Sequence, residues 1–385
     1  MNSTDRSLQI VVKVSKFCNL RCRYCYEYPE LGNRAAMSNA QVAVMYRTLR
    51  DYIAMADRRD GARTRLQFIW HGGEPLLQPP EFYRQTWADQ REIFGAEIAT
   101  SNSVQTNLVV LDDDRRRLLR EGFDSVGVSL DVAGGLRVNA AGRDSHDRVA
   151  GNLETLRADG VGVGCISVLT AQNIHAVDQV FRYFEERNLH FRVLPLFDTG
   201  APGQTTPFEV SREQELSALA QLVDLWLSSE TLERPPAPLD GYVQLAARHL
   251  AGNQPCDYRD RREWLPLILV NTDGSCFTYG EPYGDPEWSI GNIFTESFAD
   301  MLAGPVFERC AVQAERRVAR NCLSCPFFDV CGGSLVADTE TRDRDQDGHG
   351  TLLCTARPMI AYIVEQLRGR VPETVAQWHR QDTPA

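Results

Sequence analysis

The sequence predicts an α/β protein: a partial, TIM-like (β/α)6 barrel followed by a cysteine-rich C-terminal domain. Two observations carry that expectation. Six β-rich runs alternate with helical periodicity over residues 8–196, and the eleven cysteines gather near the two ends of the chain. Strands separated by helices imply right-handed crossovers and parallel pairing.

The elements follow in order. Residues 8–14 form a β-rich run, and 40–54 read as an amphipathic helix with Ser38 as its cap. Residues 66–70 give a second strand, with a helix from about Glu81, and a third strand closes over 104–106. Acids open a helix over 112–120, where they suit the positive end of its dipole. Strands over 125–130, 163–169 and 190–196 alternate with helices near 146–158 and 176–187. Beyond a Gly/Pro/Thr-rich loop, a helix covers about 213–229 and a Pro-rich linker spans 235–238. From Cys256 onward the pattern changes to hairpins, turns and cysteines. The expected domains are therefore a barrel over 8–199, a bridging region over 200–255 and a cysteine-rich domain over 256–371.

Composition narrows the function. The chain of 385 residues carries a formal charge of −11, which disfavours nucleic acid as a partner because phosphates would be repelled over most of the surface. No run of eighteen apolar residues exists, so no membrane span is expected. The polar start of the chain does not read as a signal peptide, which points to the cytoplasm. In that reducing setting cysteines serve metals or catalysis rather than a disulfide framework.

Cys18, Cys22 and Cys25 stand just after the first strand in a C-x3-C-x2-C spacing. Three thiolates suit an iron–sulfur cluster or zinc, and a cubane with three protein ligands keeps one iron open for a small molecule. An open position marks a catalytic site. Segments that end later strands join this motif: His71-Gly72-Gly73-Glu74-Pro75, Gln105-Thr106-Asn107 and Ser129-Leu130-Asp131. Folds of βα repeats place their sites at those strand ends.

On these motifs residues 8–197 resemble the radical S-adenosylmethionine (SAM) superfamily. The resemblance implies a [4Fe–4S] cluster whose open iron holds SAM and, after reduction, cleavage to a 5′-deoxyadenosyl radical that abstracts a hydrogen atom. It implies that the backbone of Tyr24 meets adenine, and that the segment from His71 to Pro75 receives the methionyl amine. Asn107 and Ser129 would contact the ribose and carboxylate. Arg137 is the preferred carboxylate partner, since a guanidinium grips bidentately, with Arg143 as second candidate. Leu194 resembles the residue that packs on adenine; ordinary core is its alternative.

Cys322, Cys325, Cys331 and Cys354 resemble the SPASM domain of radical SAM peptide maturases, which implies an auxiliary [4Fe–4S] cluster. Cys256 and Cys276 stand where that domain begins a second auxiliary cluster. The thiol usual four residues after Cys331 is replaced by Leu335; Cys310 is the candidate to compensate, which would give three thiolates and an open iron. Buried free cysteines are the alternative there.

The resemblance implies a ribosomal-peptide maturase that abstracts hydrogen from a precursor peptide and closes a C–C, C–O or thioether crosslink. Its partners would be that peptide, a flavodoxin- or ferredoxin-type electron donor and a separate leader-binding protein, unless the barrel binds the peptide directly. A sulfatase-maturase-like activity is an alternative. In that subfamily an aspartate thought to be the base follows the relevant cysteine, whereas Phe277 follows Cys276. Tyr279, Glu281 and Asp285 are nearby candidates for proton acceptor. A radical SAM dehydrogenase or epimerase of a sugar or aminocyclitol is a further alternative, and a non-catalytic zinc or redox scaffold is one from another class.

Overall fold

The computed structural model describes residues 5–133, 135–196, 205–252, 260–263, 265–278, 284–333 and 354–368. The strands form one sheet in the order β6-β5-β4-β3-β2-β1-β7-β8-β9. They are β1 (Asp5–Ser15), β2 (Arg63–Gly72), β3 (Thr100–Thr106), β4 (Ser125–Ser129), β5 (Val163–Leu169), β6 (Phe191–Pro195), β7 (Leu267–Val270), β8 (Ser275–Thr278) and β9 (Gly291–Asn292). β1 to β5 pair in parallel, each with the next, as βα repeats require. β7 extends the sheet on the other side of β1, also in parallel, and β8 and β9 follow antiparallel.

The chain divides into two compact units. The first comprises Met1–Asp131, Gly135–Ile166 and Asp260–Gln313. Between its strands run α1 (Asn39–Asp60), α2 (Pro80–Phe94), α3 (Asp113–Glu121) and α4 (His146–Ala158). Ser38 starts α1 with a reciprocal capping box: its side chain accepts from Gln41 N, and the Gln41 side chain accepts from its N–H. Gly61 ends the helix in the left-handed conformation.

Alternation along each strand separates two faces. Phe68 and Trp70 point to the helices, where Tyr46 of α1 and Phe82 and Tyr83 of α2 pack edge-on against them. The opposite face is polar. There Gln9 donates to Gln67 at 2.9 Å, and Gln105 donates to Ser129 at 2.9 Å. Ser125 and Ser103 are joined at 2.8 Å. Strand sequence therefore builds a hydrophobic layer under the helices and a polar inner wall.

The second unit comprises Val132–Gly134, Ser167–Arg259 and Ala314–Ala385. It holds α5 (Val177–Glu185), α6 (Arg212–Leu227) and α7 (Leu239–Ala251). α8 (Phe298–Ala303) lies in the first unit, while α9 (Pro305–Asn321) begins there and ends in the second. α10 (Phe328–Cys331) and α11 (Ala356–Arg368) complete the second unit. Phe184 of α5 stacks on Phe191 of β6 at 4.6 Å between ring centres. α11 packs on α7 and α6, and α10 packs on α7.

Candidate active site

The loop that leaves β1 carries Cys18, Cys22 and Cys25, and hydrogen bonds from several elements fix it. Gly73 N donates to Ser15 O at 2.7 Å and Glu74 N to Phe17 O at 3.0 Å, which laces the end of β2 to the loop. A Cβ on Gly73 would lie 2.4 Å from the carbonyl oxygens of both Lys16 and Phe17, and one on Gly72 would lie 2.2 Å from Ser15 O. Glycine is required here because backbone packs on backbone. On the other side Arg21 N donates to Val138 O at 2.6 Å and Arg23 N to Leu136 O at 2.9 Å.

All three thiols are withdrawn from solvent, with Cys18 and Cys22 buried and Cys25 half-buried. Burial pushes Cys18 up to about 11 and Cys25 up to about 12, and it raises Cys22 as well. Negative charge on Cys22 adds to the shifts of both Cys18 and Cys25, so the thiols are electrostatic neighbours. Such thiols stay protonated until a metal displaces the proton. As folded, no three His, Cys, Asp or Glu side chains among the described residues close to metal-ligating geometry.

Around them lies a hydrogen-bonded shell. Asn107 Nδ2 donates to Asn19 Oδ1 at 2.8 Å and reaches Cys18 Sγ at 3.6 Å. Glu74 is buried, and its carboxylate accepts from Leu76 N at 2.9 Å, Thr106 Oγ1 at 2.7 Å and Asn107 N at 2.7 Å. That acid organises the ends of β2 and β3. Burial still raises its pKa, against the lowering by those donors and by Arg137.

Tyr24 is buried, and its hydroxyl donates to Asp131 Oδ2 at 2.5 Å while accepting from Arg137 Nη1 at 3.0 Å. The guanidinium of Arg137, held by this pair, lowers the pKa of Cys18 and Cys22. Arg143 by contrast is exposed in the turn after Val138. Pro75 opens a buried 3-10 turn, and Ser129 Oγ accepts from Gln105 on the polar wall.

His71 ends the inner face of β2. Its Nδ1 accepts from Gly72 N at 2.7 Å, and burial with the nearby Lys13 charge pushes its pKa down to about 3. The ring is neutral, with its proton on Nε2.

The residues fit the cofactors expected from the motif. Asn19 Nδ2 and Arg137 Nε are buried donors with no acceptor among the described residues, beside three thiols that lack a fourth. Two unused donors next to an incomplete thiolate set are what an amino-acid carboxylate bound at an open iron would satisfy.

Comparison with known proteins finds a family likeness for the part of the chain that carries this arrangement. The description "Radical SAM superfamily" matches residues 12–184.

Residues 12–184 match that superfamily in sequence.

The chain is accordingly an enzyme of radical chemistry, with SAM and a [4Fe–4S] cluster as its cofactors. It is 25% identical over 378 residues to a serine-type anaerobic sulfatase-maturating enzyme of Bacteroides thetaiotaomicron, covering 91% of this chain and 87% of that protein. An uncharacterised protein of Synechocystis, sll1766, is 23% identical over 95% of this chain and 92% of its own length. Among solved structures, native anSMEcpe with bound AdoMet and Cp18Cys peptide superposes with a TM-score of 0.70 at 20% identity. That likeness covers 97% of this chain and 99% of that one, and it is a likeness of fold.

In the second unit, Cys322 closes α9, Cys331 closes α10 and Cys354 precedes α11. Cys325 N donates to Cys322 O at 2.9 Å. Cys354 and Phe328 pack against the cluster of Ala314, Val318 and Cys322. Arg212 of α6 donates to Cys354 O at 2.7 Å. Tyr242 of α7 is raised mainly by burial, with contributions from Glu215, Cys354 and Cys331. Three helices thus bring their ends to the cysteine-bearing turns.

Cys276 and Cys310 are both buried in the first unit, and burial pushes Cys276 up to about 12. Cys256, Tyr279 and Glu281 lie outside the described residues. Asp285 caps a short 3-10 turn by accepting from Glu287 N at 3.0 Å. Leu194 of β6 is 40% exposed, so it is not ordinary core.

Sequence reasoning missed Asn19 and Lys13 as parts of this site. A lysine in the apolar run from Ile10 to Val14 was the available signal for the second, since an ammonium in a strand that is otherwise buried needs a partner.

Proposed function

We propose that this protein oxidises a peptide side chain by two electrons, starting with hydrogen-atom abstraction. The observation that carries the reading is the incomplete thiolate set of Cys18, Cys22 and Cys25 beside the unused donors of Asn19 and Arg137. Relatives named as sulfatase-maturating enzymes, aligned over nearly the whole chain, support a peptide as substrate.

The three thiolates would hold the radical cluster, and Asn19 and Arg137 would bind the carboxylate of SAM. When bound, cluster and SAM supply a 5′-deoxyadenosyl radical, and an auxiliary cluster on Cys322, Cys325, Cys331 and Cys354 would take up the remaining electron. Asp131 and Tyr24 keep Arg137 oriented, and Glu74 holds Asn107 toward Cys18. The polar inner wall offers donors and acceptors to an extended peptide.

Crosslink formation is favoured over a sulfatase-type aldehyde product by one residue. Phe277, 2% exposed in β8, follows Cys276 where the sulfatase maturases carry an aspartate. The test is anaerobic co-expression in heavy water with the peptide encoded nearest the gene, followed by mass spectrometry. Loss of two hydrogens with no hydrazine-reactive carbonyl is the expected result. Loss of two hydrogens with a trapped carbonyl would establish the sulfatase-type outcome instead. Retained mass with one deuterium would mean epimerisation, and an unaltered peptide would overturn the peptide reading for that substrate.

A further inference from the structure

Each cysteine of the loop has neighbours that fix it, but they differ in kind. Cys18 is met by Leu20 N at 3.4 Å and by Asn107 Nδ2 at 3.6 Å. The stretch around Cys22 is tied by the backbone bonds of Arg21 and Arg23 to residues 136–138. Around Cys25 the local backbone offers turn bonds, from Cys25 N to Cys22 O and from Tyr28 N to Cys25 O, both 3.1 Å, and the backbone N–H of Glu27 meets its thiol. The two residues that follow it, Tyr26 and Glu27, are instead joined to β1 through one side chain.

That side chain is Lys13. It is 2% exposed and sits in register with His71 on the inner face of the sheet. Its Nζ donates to Glu27 Oε1 at 2.8 Å and to Tyr26 Oη at 2.6 Å. The same ammonium lies 5.1 Å from the centre of the Tyr26 ring, although Tyr26 itself is 54% exposed. A solvent-facing tyrosine thus lies across a buried ammonium, and a carboxylate closes it from the side. An ion pair this enclosed contributes little net stability over an apolar pair of the same volume, yet it fixes geometry. Here the fixed geometry belongs to the chain leaving the third cysteine.

We infer that Lys13 is a positioning residue for the radical cluster: by clamping Tyr26 and Glu27 to β1 it sets where the Cys25 thiolate meets the iron. The inference rests on Cys25 being a cluster ligand. Outer groups that orient metal ligands typically contribute about 10–100-fold to metal retention. The clamp orients Cys25 through the backbone, and its loss is expected at the low end of that range.

The test uses the full chain, reconstituted anaerobically with iron and sulfide. Three forms are compared: wild type, Lys13→Met, and the pair Lys13→Met with Glu27→Gln. The readout is the electron paramagnetic resonance signal of the reduced cluster that shifts on adding SAM, followed as a chelator removes iron. Denaturant midpoints are measured alongside. Lys13→Met strands the Glu27 carboxylate and is expected to lower the midpoint. The paired variant removes both charges and is expected to recover it, while still losing the SAM-responsive signal about tenfold faster than wild type. That separation of stability from cluster retention is the signature of a clamp. A paired variant that keeps the signal as long as wild type overturns the inference. Absence of the SAM-responsive signal in wild type would instead defeat the assignment of Cys25 as a ligand.

Discussion

Glu74 shows how a residue can belong to a binding motif and still act mainly on the protein. Its carboxylate is filled by Leu76 N, Thr106 Oγ1 and Asn107 N. Glu74→Ala would leave three buried donors without acceptors, each costing about 1–3 kcal/mol, so a loss of at least about 3 kcal/mol in urea denaturation is expected. Cluster retention should fall with it, because Asn107 then loses its hold beside Cys18. His71 gives a pH prediction. Its folded pKa of about 3 lies below its ordinary 6.5, so between those values the unfolded chain binds a proton that the folded chain does not. Stability from this group is present above pH 6.5 and lost as pH falls toward 3, by at most about 1.4 kcal/mol per pH unit. Denaturant midpoints of the metal-free chain from pH 7 to pH 4 should show a shallower decline for His71→Gln than for wild type. The motif cysteines and the glycines were legible in the sequence because spacing and residue type are local. The role of Glu74 was not, since two of its three partners, Thr106 and Asn107, lie at the end of a different strand.

At the scale of elements, the first helix and its cap were readable from Ser38 and the apolar periodicity after it. Ser38→Ala removes the acceptor for Gln41 N and is expected to cost about 1 kcal/mol in chemical denaturation, without altering SAM binding. The Pro-rich stretch 235–238 read as a linker, but it does more. Ala237 bridges to Arg192 of β6, and Leu239 starts α7 directly after Pro238. Proline is tolerated at a helix start, where the missing N–H would have no partner in any case. β7 shows a different difficulty. Its four apolar residues announce a strand, but nothing local announces that it pairs in parallel with β1. Partner choice across so long a stretch of chain is decided by packing, and packing is written in residues far apart.

For the whole molecule, the proposed ligand roles of the two cysteine sets predict separable iron sites. Replacing Cys322 and Cys325 by alanine should lower iron by about four atoms per chain and leave the SAM-responsive signal, as expected for loss of one cubane. Replacing Cys18 and Cys22 should remove a similar amount of iron and abolish that signal. Iron analysis with electron paramagnetic resonance on the same samples checks both. The alternation of β5 bears on the enzyme's own survival. Cys165 pairs in register with Val128, which in turn lies beside Thr106, on the face that Trp70 shares with the helices. A thiol hydrogen is more weakly held than the aliphatic hydrogens of a substrate, so a stray radical would take it first. With Cys165 turned toward the helices, β5 presents no thiol hydrogen on the inner face. Strand alternation thereby keeps the most easily abstracted hydrogen of β5 on the far side of the sheet from a radical formed at the inner wall.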